Sequence, residues 1–362
     1  MKVGFDGRYA EGDLVGVGKY IANLVGQLVK KNIKCVIFYS KEPKYPIFGK
    51  NISQKILNSE NRYLFEQIKL PLALKKEKVD IYHALGNLGV PLLCPVPAIL
   101  TVHDIIPLLI KNYFNYSKLP FITKFSYLFR LKTSIFRARR VIVDSEFTKK
   151  TLVENLGVKP IKIKVIYLGA PKVILKTKKL IFDLEPGRYV LNHGGIDIRK
   201  NLDRLIRAFA KVVSQYPNLK LVITGENKTM RSELDKIVKD LGLENLVVFP
   251  GYVKEEILES LIKNASCICF PSLIEGFGMP VLEGFAFGVP VITSSTSSLS
   301  EIANGAAFLV NPENEEEIAL AILKVVREKK TREELIKKGR ERIKDFSWEK
   351  TAEEVLKVYR EV

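Results

Sequence analysis

Two glutamates eight positions apart frame the most chemically pointed stretch of the chain, Pro271-Ser272-Leu273-Ile274-Glu275-Gly276-Phe277-Gly278-Met279-Pro280-Val281-Leu282-Glu283-Gly284. A strand ends just before it, and a helix is expected to start near Pro280, with Pro in the first turn and Gly before it. Glu275 then sits in the loop and Glu283 one turn inside the helix. Free N–H groups at a helix start attract anions. Two carboxylates beside them add hydrogen-bond acceptors, so the frame suits a ligand with both hydroxyls and phosphates. A nucleotide sugar has that pattern. Either glutamate alone could be a solvated surface residue; the two in one frame are more specific.

Three other stretches carry related chemistry. Gly194-Gly195-Ile196-Asp197-Ile198-Arg199-Lys200-Asn201 leads from a strand into a helix over 202–213. Arg199 and Lys200 at a glycine-flanked helix start suit a diphosphate, and a merely solvated basic pair there would oppose the helix dipole. Gly16-Val17-Gly18-Lys19-Tyr20 opens a helix after the first strand, where glycine lets the backbone approach a ligand. It is no P-loop, because the spacing differs and no Ser or Thr follows the Lys; a purely structural turn explains it as well. His103, followed by Asp104, closes a strand, as do His83 and His193. At a strand's carboxyl end a histidine faces the ligand-binding edge of a parallel sheet, or simply caps the strand by bonding Asp104. Three histidines, all at strand ends, tilt the reading toward ligand contact.

Holding these groups in place falls to a β-then-α rhythm that runs twice. Strands are expected at 2–5, 34–39, 81–83, 98–102, 141–143 and 163–166, with amphipathic helices such as 17–31 and 64–76 between them. A linker is expected around 168–186, where Gly169, Pro171 and Lys176-Thr177-Lys178-Lys179 cluster. Strands then follow at 189–192, 219–224, 247–249, 267–270 and 289–293, and the last helix spans about 348–359. The expected architecture is α/β: two tandem Rossmann-like domains, 1–170 and 171–346, with helix 347–362 returning to the first. Ligands would enter a cleft between them, at the carboxyl ends of the strands.

Composition narrows the class. In 362 residues the formal net charge is +18. Residues 1–175 hold 29 basic and 12 acidic side chains, against 29 and 28 in 176–362. The first half alone therefore expects an anionic partner: nucleic acid, a membrane surface or a phosphorylated substrate. The apolar run 90–102 holds three prolines and is too short to span a membrane; the amino terminus reads as no signal peptide. Four cysteines make no disulfide framework. Cys267 and Cys269 lack a second pair for zinc and read as small buried hydrophobes. A reducing, cytoplasmic setting is expected.

Taken in order, Gly16-Val17-Gly18, His103-Asp104, Val143-Asp144-Ser145-Glu146-Phe147-Thr148, Arg199-Lys200-Asn201, Phe249-Pro250-Gly251-Tyr252-Val253, the Glu275–Glu283 stretch, Gly288-Val289-Pro290-Val291-Ile292 and Phe346-Ser347-Trp348 resemble the large retaining glycosyltransferase family four along nearly the whole chain. His103-Asp104-Ile105-Ile106-Pro107 and Arg199-Lys200-Asn201 are most similar to bacterial mannosyltransferases building O-antigen and related surface polysaccharide. The resemblance implies the GT-B fold and a nucleotide-sugar donor, GDP-mannose before a UDP-hexose. Glu283 would hold the donor ribose. Glu275 and the backbone of Phe277, Gly278 and Met279 would hold the donor sugar. Arg199, Lys200 and the Gly16–Gly18 turn would neutralise the leaving diphosphate, His103 would contact the sugar near the reacting carbon, and the backbone near Val253 would read the base. Many members carry an arginine in the loop before the lysine where Gly195 and Ile196 stand here, and Arg199 would substitute for it. No cofactor and no metal are expected, and the acceptor would be a glycan or a lipid-linked glycan.

A non-hydrolysing nucleotide-sugar epimerase on the same fold is the first rival. A basic nucleic-acid-binding protein is the second, disfavoured because no recognition motif or repeat accompanies the charge. A nicotinamide dehydrogenase lacks its glycine fingerprint and acidic residue. From Ile105 to Val143 there are eight basic side chains and no acidic one, interleaved with rings including Tyr113, Phe114, Tyr116, Phe121, Phe125, Tyr127, Phe129 and Phe136. That alternation suits an anionic headgroup layer, hence a peripheral protein on the inner face of the cell membrane, although Phe125, Phe129 and Phe136 are expected to pack beneath the first sheet.

Overall fold

The computed structural model describes residues 1–111, 113–116, 119–174 and 183–362. Lys118, the 176–179 part of the expected linker and the side chain of Tyr116 lie outside the described residues. The chain divides into two compact units, one of Met1–Gly169 with Phe346–Val362, the other of Ala170–Asp345.

Unit 1 is built on seven parallel strands: β1 (Lys2–Asp6), β2 (Lys34–Tyr39), β3 (Ile52–Ile56), β4 (Ile81–Ala84), β5 (Ala98–Val102), β6 (Arg140–Val143) and β7 (Ile163–Val165), in the order β3-β2-β1-β4-β5-β6-β7. Central strands such as β5, Ala98-Ile99-Leu100-Thr101-Val102, are buried end to end, as a sheet covered on both faces requires. The helix Val17–Lys30 buries Tyr20, Ile21, Leu24, Val25 and Leu28, a stripe at helical spacing. The last helix, Trp348–Arg360, buries Trp348, Ala352, Val355, Leu356 and Tyr359 and packs against Val17–Lys30. Gly169 leaves room for Trp348, whose indole would lie 2.3 Å from a Cβ at that position.

Unit 2 repeats the plan with six parallel strands: β8 (Tyr189–Asn192), β9 (Lys220–Thr224), β10 (Val247–Gly251), β11 (Cys267–Phe270), β12 (Val291–Ser294) and β13 (Phe308–Val310), in the order β10-β9-β8-β11-β12-β13. Its helix Leu202–Val213 buries Leu205, Ile206, Phe209 and Val212 and packs on Glu315–Arg327. Cys267 and Cys269 are wholly buried core hydrophobes, and burial raises both thiols.

In both sheets the strand order reverses beside the first strand, between β1 and β4 and between β8 and β11. Loops leaving those neighbours diverge and open a crevice at the carboxyl ends. Two strands were not expected from the sequence. Edge strand β3, Ile52-Ser53-Gln54-Lys55-Ile56, is half-buried to exposed and shows little apolar pattern, and β13 has only three residues. The helix expected over 64–76 is instead broken by a π turn, Phe65–Lys69, between Arg62–Leu64 and Leu70–Lys76. Pro71 has no N–H for the Gln67 carbonyl, so the coil widens there.

Candidate active site

After β8 the chain passes through Gly194 and Gly195, with φ of 110° and 92°, a region that L side chains rarely enter. The Asp197 carboxylate accepts the Arg199 N–H at 3.0 Å and starts a tight turn, Ile198–Lys200. Asn201 takes the left-handed conformation and ends it, while its amide donates to the carbonyls of Pro271 (3.1 Å) and Pro312 (2.6 Å). The Leu273 N–H donates to the Arg199 carbonyl at 2.8 Å. Side chain and backbone thus clamp the basic turn to the loop that follows β11.

That clamp brings Arg199, Lys200 and Glu275 together. The Lys200 ammonium donates to Glu275 Oε1 at 2.7 Å and lies 4.5 Å from the centre of the Phe270 ring, and Arg199 donates to the other carboxylate oxygen. Lys200 and Glu275 are both buried. Burial lowers the Lys200 pKa, with Glu275 offsetting part of the effect. For Glu275 burial acts upward, yet Lys200 and Arg199 outweigh it and hold the carboxyl below its ordinary value. Two cations thus share one ionised carboxylate, and the Asp197 carboxylate lies 3.5 Å from Arg199 Nε on the other side of the fork. The sequence reading put Glu275 on the sugar and the cations on the diphosphate; here both carboxylate oxygens already hold those cations.

The loop continues to Gly278, whose φ of 117° caps the helix Met279–Phe287, one residue earlier than expected. Leu299 would meet a Cβ at Gly278 at 2.7 Å. The Ser298 hydroxyl anchors the loop on the Glu275 and Phe277 carbonyls, each at 2.8 Å, so Phe277 is fixed through its carbonyl. As cap and first helical residue, Gly278 and Met279 carry N–H groups for which the helix has no acceptor. Glu283 lies in this helix and receives His193 Nε2 at 2.7 Å, joining the strand-end histidine to the second glutamate. His193 Nδ1 is buried without a partner. Val253 follows β10 half-buried, beside Tyr252, whose N–H donates to Glu226 at 3.3 Å.

In unit 1 the three-histidine reading needs correction. His83 is fully buried between Tyr359 (2.7 Å) and Thr101 (2.8 Å), and burial drives its pKa down to about 3. It is a neutral core residue tying the last helix to the sheet. His103 has both ring nitrogens occupied, Nδ1 by Asp144 at 2.6 Å and Nε2 by the Leu85 carbonyl at 2.9 Å. Both partners offer oxygens to the ring nitrogens, an arrangement that favours the protonated imidazole. Burial opposes that charge, but Asp144 outweighs it and the pKa is raised. The partner is Asp144 rather than the neighbouring Asp104, whose carboxylate accepts the Ile106 N–H at 3.0 Å. The His103 ring is thus anchored within unit 1 by both of its nitrogens. Gly16 has φ 46° and open space where a Cβ would lie. Gly18 is explained by packing: its N–H donates to Val15 and the Tyr9 carbonyl lies 2.7 Å from its would-be Cβ, so it offers no donor to a phosphate.

Two features of unit 1 escaped the sequence reading. Arg8 and Arg130 both grip Glu66 in the π turn, and the first also grips Asp6 at the end of β1. On the helix Pro120–Arg137, Phe121, Phe125, Phe129 and Phe136 are 82%, 65%, 56% and 79% exposed. Packing of the last three beneath the sheet, the bland expectation, is thereby corrected: Leu131, Ser134 and Ile135 fill the inward face instead. Among the described residues no helix is long and apolar enough to cross a membrane, and no group of three or more His, Cys, Asp or Glu is placed to hold a metal.

Comparison with known proteins agrees with this anatomy. Residues 15–171 match the model of Glycosyltransferase Family 4 and residues 177–342 that of Glycosyl transferases group 1. Two uncharacterized glycosyltransferases of Methanocaldococcus jannaschii are 30% identical, one over 80% of this chain and 77% of its own length, the other over 63% and 61%. The O-antigen chain mannosyltransferase B of Escherichia coli is 26% identical over 80% of this chain and 76% of its own. Among solved structures, Anabaena HepE in complex with UDP-glucose superposes with a TM-score of 0.76 at 15% identity, covering 100% of both chains. Two parallel-sheet units, each matched by its own family model, leave one assignment: the chain is a glycosyltransferase of GT-B fold and belongs to glycosyltransferase family 4.

Proposed function

We propose that the enzyme moves a hexosyl group, mannosyl first, from a nucleoside diphosphate sugar to a glycan or lipid-linked acceptor in surface polysaccharide assembly, with retention of configuration and without a metal ion. The Arg199–Glu275–Lys200 cluster carries this reading. Its buried carboxylate keeps two cations charged and oriented, so the charge developing on a departing diphosphate meets groups that need not reorganise. The bond between the sugar carbon and the diphosphate breaks, the acceptor oxygen bonds to that carbon from the same face, and the acceptor proton passes to the departing phosphate. Gly278 and Met279 offer N–H groups to the donor, and Glu283, steadied by His193, accepts from the ribose. His103, oriented by Asp144, contacts the donor sugar near the reacting carbon.

The E. coli relative supports mannose as the first donor sugar to try, and the HepE complex supports a UDP-hexose as the second. An anionic membrane surface as workplace, on the cytoplasmic side, draws support from the exposed rings of Pro120–Arg137 and the exposed Lys124 and Lys132 among them. Leu92, Phe125, Phe129, Lys132 and Phe136 line an open cavity of about 380 Å³ on that face. The decisive experiment offers GDP-mannose and UDP-hexoses with a lipid-linked glycan acceptor in excess EDTA and reads product anomer by NMR. An α-linked product from an α-linked donor is expected. No transfer until magnesium or manganese is restored overturns the metal-free mechanism, and an inverted product overturns retention.

A further inference from the structure

Trp348 and Tyr359 stand near opposite ends of the last helix, and both lead to one residue, Tyr20. Trp348 lies against the Tyr20 ring, with ring centres 6.0 Å apart. Tyr359 reaches the Tyr20 hydroxyl through a chain of hydrogen bonds. Its own hydroxyl bonds His83 Nδ1 at 2.7 Å, His83 Nε2 bonds the Thr101 hydroxyl at 2.8 Å, and that hydroxyl bonds Tyr20 at 3.2 Å. Every member of the chain is buried. His83 is neutral and carries one ring proton, so whichever nitrogen donates obliges the other to accept. A change of partner at Tyr359 is therefore felt at Thr101.

From Tyr20 the chain passes to His103. The two rings pack edge to face, with centres 4.9 Å apart and planes at 86°. Thr101 lies in β5 and His103 just past its end, two positions on, so the pleat turns both to one side of the sheet. Tyr20 bridges them, by hydrogen bond to the first and by its ring to the second. Asn87 pins the backbone of the same pair: its N–H donates to the Thr101 carbonyl at 2.9 Å, and its side-chain oxygen accepts the His103 N–H at 2.7 Å. Asp144 and Leu85 hold the His103 ring by its two nitrogens. Two such bonds leave a ring free to tilt about the line between them, and a ring packed against it removes that freedom.

We propose that Tyr20 is a positioning residue for His103, and that the last helix sets Tyr20 through Trp348 and through the Tyr359–His83–Thr101 relay. Replacing both partners of a buried hydrogen bond by apolar groups of the same shape is close to neutral for stability. A core that had only to pack would therefore lose little by being apolar here. A fully satisfied polar chain instead fixes one arrangement of its members, and this one ends on a ring at the carboxyl edge of the sheet. Tyr359, sealed in the core, acts only through the others. That His103 meets the donor sugar rests on the proposed transfer, whereas the placing of its ring by Tyr20 does not.

The test follows the imidazole signals of the three histidines in the full-length protein by NMR, which needs no substrate, and then kcat and donor KM. Tyr359→Phe and Tyr20→Phe each remove one hydroxyl, and Tyr20→Leu removes the ring. Lys31→Gln breaks the 2.7 Å bridge to Glu353 on the same last helix without touching the relay, and so controls for looser docking of that helix. Both Phe variants are expected to move the His103 signals and to lower kcat about threefold to tenfold with donor KM unchanged. Tyr20→Leu should cost about a hundredfold in kcat, most of it regained in Tyr20→Phe, which keeps the ring. Lys31→Gln should leave signals and kcat as they are. If Tyr20→Leu does not fold, the two Phe variants carry the test. His103 signals unmoved by both Phe variants, or moved as much by Lys31→Gln, overturn the proposal. Signals that move while kcat stays at the wild-type value keep the placing of the ring and remove His103 from the reacting carbon.

Discussion

Both units solve one electrostatic problem with one device, and they surround it differently. In unit 2 a single buried carboxylate, Glu275, grips Arg199 and Lys200. In unit 1 Glu66 grips Arg8 and Arg130. A shared carboxylate holds the cations in place inside protein, and each cluster adds a second one, Asp197 beside Arg199 and Asp6 beside Arg8. Unit 2 then closes its cluster with clamps from the Asn201 amide, the Leu273 N–H and the Ser298 hydroxyl onto backbone carbonyls. Unit 1 instead sets exposed rings on the helix that carries Arg130. A cluster clamped between two loops suits a small leaving group; one beside a greasy and basic face suits a larger partner arriving from a surface.

The sharpest way to break the comparison is to remove the cation with no exposed path of retreat. Lys200→Ala is expected to lower kcat by about 10²–10³, as loss of one preorganised charge at the leaving group does. Turnover near wild type would empty the unit 2 cluster of its meaning. Unit 1 is probed by sedimentation with anionic vesicles. Changing Lys124, Lys132 and Arg137 together to Gln removes about 1 kcal/mol of attraction per cation, roughly a hundredfold in partitioning. Wild-type binding should fall steeply with salt; equal affinity for neutral and anionic vesicles would leave the exposed phenylalanines without a membrane role.

A smaller effect is expected at Glu283. Its bonds to a ribose would exist before the reaction begins, so Glu283→Ala should weaken nucleotide binding about tenfold by calorimetry and leave kcat nearly intact. The histidines sharpen the comparison through pH. His103, raised by Asp144, adds stability that is fully present below 6.5 and lost as pH rises through its higher folded value. His83 behaves oppositely: with its pKa pushed down to about 3, it favours the fold above 6.5 and withdraws that support as pH falls toward 3. NMR titration should show His103 changing above 6.5 and His83 silent down to unfolding, and Asp144→Asn should lower the His103 midpoint. A His103 midpoint below 6.5 in the native protein would contradict its charged state.

Regular apolar strands were legible because both faces of each sheet are buried and leave runs such as Ala98-Ile99-Leu100-Thr101-Val102. The helix start at Met279 was legible from Gly278 and Pro280. Less visible was anything made by residues far apart in sequence. Glu66 is an ordinary glutamate in a helical stretch until Pro71 opens a π turn and Arg8 and Arg130, 58 and 64 positions away, close on it. His83 and His103 look alike as strand-end histidines, and only their neighbours separate them. Burial between Tyr359 and Thr101 keeps one a neutral core residue; Asp144 and Leu85 favour the charged form of the other. The outward phenylalanines were misjudged because helical spacing gives a stripe without saying which stripe meets the sheet.

The return of Trp348–Arg360 to unit 1 has a consequence for the order of events during synthesis. Unit 2 is complete in sequence once Asp345 has been made, while unit 1 still lacks the helix that supplies Tyr359 to His83 and Trp348 to the space beside Gly169. Domains usually fold from the amino terminus as they emerge from the ribosome. Here the first unit to be translated is the last to be finished. A chain truncated after residue 345 would hold a complete second unit and a first one with a vacant seat along Val17–Lys30. Helix 348–360 therefore seals unit 1, whose earlier-made part becomes whole only after all of unit 2 has been synthesised.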